Sequence, residues 1–259
     1  MATPFDKVVQ EIRVSGYHNH RKEEHSDTVS QGIIDDLTKE CAPLRNDFES
    51  GRVRTWYRAK SPSARGRKGD ALVGEAVERG SPDLDKVRIF IENKSVVTAH
   101  RNWSSRFDDL NQAMRDMHSV KPEAILVATV MIGIAQRVLN VPDCVAKKYK
   151  RNPKEFEEKV LPRLSKGDER LWDEFDDCIS HNTKDSPRKT AERFRMLPIR
   201  EPGHTHAVGY DYVLLAPIYI DNVNPPYVPF PNDLGINLDD DYKAMLTQIC
   251  KAYRARWHP

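Results

Sequence analysis

Glu92 and Lys94 stand two residues apart at the end of segment 87–94, where Val87, Ile89 and Ile91 share one parity. β-Branched residues at alternate positions predict a strand with an apolar face. Side chains alternate along such a strand, so Glu92 and Lys94 point the same way and Asn93 the other. Just upstream, Ser81-Pro82-Asp83-Leu84-Asp85-Lys86 is polar and turn-like, and it brings Asp83 beside Glu92 if the two segments form adjacent antiparallel strands. Mg²⁺ takes hard oxygen ligands and is usually held by one or two carboxylates together with waters and a substrate phosphate. Asp83, Glu92 and the backbone carbonyl of Asn93 supply such oxygens, and Lys94 would orient a bound water and stabilise charge developing on a phosphate.

The first acid has alternatives. Asp83 ranks first, Asp85 becomes the inward residue if the turn shifts, and Gly69-Asp70 ahead of Ala71-Leu72-Val73 is a third candidate. The same loose spacing recurs at Pro142-Asp143 with Glu157-Glu158-Lys159, but there it falls in a charged helical segment, and only context separates the two.

The elements that must position these residues follow from periodicity. Ile33, Ile34, Leu37, Cys41 and Leu44 predict an amphipathic helix over 28–44, while residues 1–27 are polar and carry no clear pattern. Ser105 with Asp108 resembles a capping box, and Phe107, Leu110, Met114 and Met117 then form a helical stripe up to Pro122. The continuous apolar run 124–134 reads as a strand buried on both faces. Strand, helix and strand make the parallel unit of α/β folds. Residues 145–200 read as a helical insertion, with Phe156, Val160, Leu161, Leu164, Leu171, Trp172 and Phe175 as buried candidates. A strand at 210–220 contains Pro217, which suits an edge or a bulge. After a loop with Pro225, Pro226, Pro229 and Pro231, a helix from about Asp240 places Tyr242, Met245, Leu246, Ile249 and Tyr253 on one face. The fold class expected from this pattern is α/β. The chain, 1–259, reads as one domain: an N-terminal helix and catalytic core (28–144), the helical insertion (145–200), and a further strand and C-terminal helix (201–259).

Pro82-Asp83 followed by Glu92-Asn93-Lys94 resembles the signature of the PD-(D/E)xK nuclease superfamily, most like a type II restriction endonuclease. Asn93 departs from the pattern, since that position is ordinarily hydrophobic. The resemblance covers roughly residues 80–134. It implies a restriction-endonuclease-like core, a central mixed β-sheet of four strands flanked by helices, together with Mg²⁺ dependence and hydrolysis of double-stranded DNA to 5′-phosphate and 3′-hydroxyl ends. The active centre would be Asp83, Glu92 and Lys94, with Asp83, Glu92 and Asn93 about the metal, and the resemblance also implies a further carboxylate ligand, with Glu40 on the first helix and Glu75 and Glu78 before the motif as candidates.

Net charge alone does not argue for a polyanionic partner, because 41 Lys and Arg nearly cancel 39 Asp and Glu. Its distribution does. Segment 51–69 carries Arg52, Arg54, Arg58, Lys60, Arg65, Arg67 and Lys68 with no acid, and Arg101 and Arg106 follow the motif closely; these are the expected DNA contacts. Trp56, Tyr57 and Trp103 read as packing residues. Cys41, Cys144, Cys178 and Cys250 show no metal or disulfide spacing and read as reduced thiols. His18-Asn19-His20 spells HNH only by adjacency, and His204 and His206 lack a third ligand. With no leader or membrane-spanning run, a cytoplasmic protein is expected, working as a homodimer if its sites are palindromic. The rival readings are a repair, recombination or phage-defence nuclease that needs a partner, and a non-catalytic nucleic-acid-binding protein.

Overall fold

The computed structural model describes all residues except 1, 19–23, 61–67, 78–79, 98–99, 142, 202 and 205–206, and the backbone but not the side chain of Arg101. The chain opens with a helix in the region where no pattern was evident. α1 (Pro4–Ser15) buries Phe5, Val8, Val9 and Ile12, and the amide and hydroxyl of Thr3 both donate to the Asp6 carboxylate, at 2.6 and 2.9 Å, to cap it. α2 (Glu24–Glu40) starts earlier than periodicity suggested and stops before Cys41. There Pro43, which lacks an N–H, sits in the first turn of a separate helix, α3 (Ala42–Glu49).

Three strands follow: β1 (Arg54–Tyr57), β2 (Ala71–Ala76) and β3 (Pro82–Val96). A 3₁₀ turn (His100–Asn102) leads into α4 (Trp103–Val120), which returns the chain to β4 (Ile125–Gly133), buried along its whole length. β5 (Arg137–Leu139) pairs antiparallel with β6 (Ile179–His181). Between them lie the short helices α5 (Val145–Lys148), α6 (Pro153–Glu155), α7 (Leu161–Leu164) and α8 (Leu171–Glu174), with a π-turn at Phe156–Val160. α9 (Ser186–Phe194), β7 (Tyr212–Ile218) and α10 (Leu238–Trp257) complete the fold.

The five-stranded sheet has the order β1-β2-β3-β4-β7, with β1, β2 and β3 antiparallel in turn and β3, β4 and β7 parallel. The chain is therefore α/β, a mixed sheet flanked by helices. The predicted strand–helix–strand unit is β3–α4–β4, and Pro217 lies on the edge strand, where a missing donor costs no ladder bond. One sheet face, with Ile89, Ile91 and Val127, is covered by α1, α2 and α10. The other, with Phe90, Leu126, Ala128 and Val130, packs on Phe107, Leu110, Met114 and Met117 of α4 and on Phe194 of α9. Segment 139–178 forms a small core of its own, in which six of the seven anticipated residues are buried and Leu161 is half-buried.

The expectation of reduced thiols is overturned. Cys41 and Cys250 form a disulfide between the end of α2 and α10, and Cys144 and Cys178 form a second within the insertion. Sequence separations of 209 and 34 residues carry no signal of this; it is the packing of α10 against α2 that brings the first pair together. Among the described residues no helix is long and apolar enough to cross a membrane.

Candidate active site

The candidate site forms where β2 and β3 part. Their ladder pairs Leu72 with Phe90 and Ala71 with Ile91, then ends, so Asp70, one residue before β2, stands opposite Glu92. Beyond Ile91 the edge of β3 has lost its β2 partner, and the Asp70 carboxylate takes the exposed backbone donor: Asn93 N–H donates to Asp70 Oδ2 at 2.6 Å. A neighbouring glycine makes this close passage possible. A Cβ on Gly69 would lie 2.3 Å from the Phe90 ring.

Glu92 and Lys94 sit on one face of β3, as the alternation required, and form an ion pair through Glu92 Oε1. The Glu92 side chain is only 10 % exposed. Its second oxygen, Oε2, is buried and has no hydrogen-bond partner among the described residues. Burial is the main cause that pushes the Glu92 carboxyl up, from 4.5 to about 7; the nearby Asp70 charge adds to the rise and Lys94 opposes it. Asp70 is raised as well, chiefly by burial and with a contribution from Asp27, against the pull of Lys94.

α2 brings its first turn to this place through Asn93. The Asn93 side chain donates to Ser26 O at 3.0 Å and to Ser30 Oγ at 2.8 Å, and its Oδ1 accepts from Thr129 Oγ1 of β4 at 2.7 Å. One buried amide thus joins β3, β4 and α2. It leaves Ser26 within hydrogen-bonding reach of Asp70 and Asp27 close enough to act on its charge. Asp27 in turn is paired with Arg58, whose Nε donates to Oδ1 at 3.1 Å and whose Nη2 bonds Oδ2. Sequence reasoning missed Ser26 and Asp27. A signal was available for Ser26: with Ser30 it continues the stripe of Ile33 and Leu37 at helical spacing, and polar residues on a buried stripe mark a polar contact.

Asp83 is not brought to Glu92. Both residues lie on β3, about 30 Å apart by strand rise. Pro82 pairs with Ala76 at the opposite end of the hairpin, and there Asp83 accepts from Asp85 N–H at 3.2 Å and lies 3.7 Å from Lys86. The polar stretch before Val87 is part of the same long strand and not a separate antiparallel one, which is why the expected convergence fails. Asp85 is exposed beside it. Glu75 is engaged with Arg88 at 3.0 Å and Lys86 at 3.3 Å, Glu40 ends α2 about 20 Å from its first turn, and Glu78 lies outside the described residues. Glu157, Glu158 and Lys159 are exposed on the π-turn, with Lys159 held by Glu155 at 2.6 Å.

The basic run follows the β1–β2 hairpin. The ladder continues past β1 through Arg58 N–H to Asp70 O (3.1 Å), Gly69 N–H to Ala59 O (2.9 Å) and a bridge between Lys60 and Lys68, forming an arm that starts at Asp70. Arg54, Lys60 and Lys68 are exposed; Arg65 and Arg67 lie outside the described residues. Arg52 pairs with Asp47 at 3.0 Å and Arg106 with Asp109 at 3.6 Å. The backbone of Arg101 lies in the 3₁₀ turn after β3. Trp56 donates to Gly80 O at 3.0 Å, and Tyr57 and Trp103 pack against the two cores. His18 stacks on His25 with ring centroids 5.4 Å apart, and His204 is exposed, while Asn19, His20 and His206 fall outside the described residues. Cys144, Asp177 and Cys178 cluster at metal-like distances, but their sulfurs are joined to each other.

Comparison of the chain with protein-family models, with curated proteins and with solved structures finds no match.

Proposed function

We propose that the chain is a Mg²⁺-dependent endonuclease that hydrolyses phosphodiester bonds of double-stranded DNA, with Asp70, Glu92 and Lys94 as its active centre. The observation that carries this reading is Glu92 Oε2, a buried carboxylate oxygen with no hydrogen-bond partner among the described residues, opposite the half-buried carboxylate of Asp70. Asp70 and Glu92 share a single ammonium, Lys94, so when both are ionised one negative charge stays enclosed without a match, which is costly. A hard cation supplies the match. The donor set fits Mg²⁺, since both side chains offer oxygen and the Asn93 carbonyl is an adjacent third. Asp70 takes the place first given to Asp83.

A bound Mg²⁺ would supply Lewis-acid polarisation of the phosphate and a more acidic water. The chain's own residues do the rest. Asp70 and Glu92 hold the ion, and the Asn93 amide fixes the Asp70 carboxylate. The Lys94 ammonium, steadied by Glu92 Oε1, directs the attacking water and offsets charge gathering on the phosphate oxygens. The basic arm beside Asp70 holds the DNA backbone. Two antiparallel pairings followed by a parallel crossover, with the acids where the hairpin opens, suit a restriction-endonuclease-like core. Cleavage at palindromic sites by a homodimer belongs to the same proposal.

The test is incubation of supercoiled plasmid with the wild-type chain and with Lys94→Ala, in Mg²⁺ and in EDTA. Conversion to nicked or linear DNA only by the wild type in Mg²⁺ supports the reading, and discrete fragments with 5′-phosphate ends add sequence specificity. Intact plasmid in both Mg²⁺ and Mn²⁺ overturns it.

A further inference from the structure

We infer that Arg58 is a phosphate-binding residue of this site and that Asp27 holds the place of a DNA phosphate until the substrate arrives; the inference rests on the endonuclease reading. Arg58 is fixed at the carboxylates through its backbone, whose amide donates to the Asp70 carbonyl at 3.1 Å. Its φ is 53°, in the left-handed region that a side chain other than glycine rarely adopts. Such conformations persist where the surroundings hold them, and they gather at binding and catalytic sites.

The guanidinium is used as a fork. Nε and Nη2 engage the two oxygens of Asp27, the two-pronged geometry that also fits two oxygens of a phosphate. The pair is 40 % exposed at Arg58 and 35 % at Asp27, and an ion pair this open to water contributes little to stability, so an incoming phosphate displaces the carboxylate easily. From Arg58 the hairpin arm runs on to exposed Lys60 and Lys68, which extends a phosphate path away from Asp70. The acid beside Arg58 therefore screens the cation in the free protein. Removing it takes the two carboxylate oxygens off the fork and leaves those donors to a phosphate.

The experiment is fluorescence anisotropy of a labelled random-sequence duplex, in EDTA and over a salt series, with plasmid cleavage in Mg²⁺ run in parallel. Arg58→Ala lowers the slope of log affinity against log salt by about 0.9, the loss of one phosphate contact, and Arg58→Lys restores it. Asp27→Asn tightens binding about two- to five-fold, the range of an exposed ion pair released. Tighter binding cannot come from misfolding, so this arm is decisive even if Arg58→Ala folds poorly. A wild-type slope in a folded Arg58→Ala, or unchanged or weaker binding by Asp27→Asn, overturns the inference while wild-type cleavage leaves the endonuclease reading in place. A wild-type chain that binds duplex with these slopes but does not cleave keeps Arg58 and loses the endonuclease. A chain that does neither overturns both.

Discussion

The backbone amide of Asn93 lies 2.6 Å from Oδ2 of Asp70, and the side chain of the same residue fastens α2 to the sheet. The position between the acid and the lysine thus organises the site from both sides of the strand. An apolar residue would keep the amide contact and lose the clip.

Asn93→Leu tests that division. It strands Ser30 Oγ and Thr129 Oγ1 in buried surroundings, and buried groups without partners cost about 1–3 kcal/mol each. We expect a loss of about 2–4 kcal/mol in urea unfolding and faster hydrogen exchange in the first turn of α2. An unchanged midpoint would show that the clip contributes nothing.

Asp70→Asn and Asp83→Asn discriminate between the two candidates for the first acid. Asp70→Asn should abolish Mg²⁺-dependent cleavage and weaken Mg²⁺ binding in calorimetry, whereas Asp83→Asn, about 30 Å along β3, should match the wild type in both. The reverse result would place the metal elsewhere.

Lys94→Ala should lower the cleavage rate by several orders of magnitude while duplex binding stays near wild type, since the ammonium acts on the reacting groups more than on the bound ground state. Wild-type rates in the variant would remove Lys94 from the chemistry.

Glu92 links the site to pH. Its carboxyl is raised from 4.5 to about 7, mainly by burial, so between those values the folded chain holds a proton that the unfolded chain has released. Stability therefore falls as pH rises through this window and levels off above it, by about 3 kcal/mol at most. Asp70, also raised, acts in the same direction. In EDTA we expect Tm to drop from about pH 5 to about pH 8, with Mg²⁺ recovering it at the upper end because the ion replaces the proton. Glu92→Gln should flatten the curve and abolish the Mg²⁺ effect; a wild-type profile in that variant would show that Glu92 is not the group responsible.

Local pattern made Glu92 and Lys94 legible, because alternation along a strand needs no knowledge of its neighbours. The β3–α4–β4 unit, the edge position of Pro217 and the α10 face were legible for the same reason. Asp70 was visible as a candidate but ranked below Asp83, since the choice depended on where β3 begins, and the polar residues Asp83, Asp85 and Lys86 look like a turn when they are an exposed strand end. The disulfides and the Asp27–Arg58 pair were hidden because they join segments distant in sequence. α1 was overlooked although Phe5, Val8, Val9 and Ile12 do keep helical spacing.

The β5–β6 pairing gives segment 139–178 the character of an exchangeable cassette. Arg137 and His181 are ladder partners, so the chain leaves the five-stranded body and re-enters it side by side, and the excursion between them carries its own core and its own disulfide. Outside the excursion, its contacts among the described residues fall on Gly16, Tyr17, Arg137, Asp221, Asn222 and Val223, none of them on β4 or α9. Different excursions can therefore be grafted at this doorway, varying what the protein meets at its surface without touching Asp70, Glu92 or Lys94.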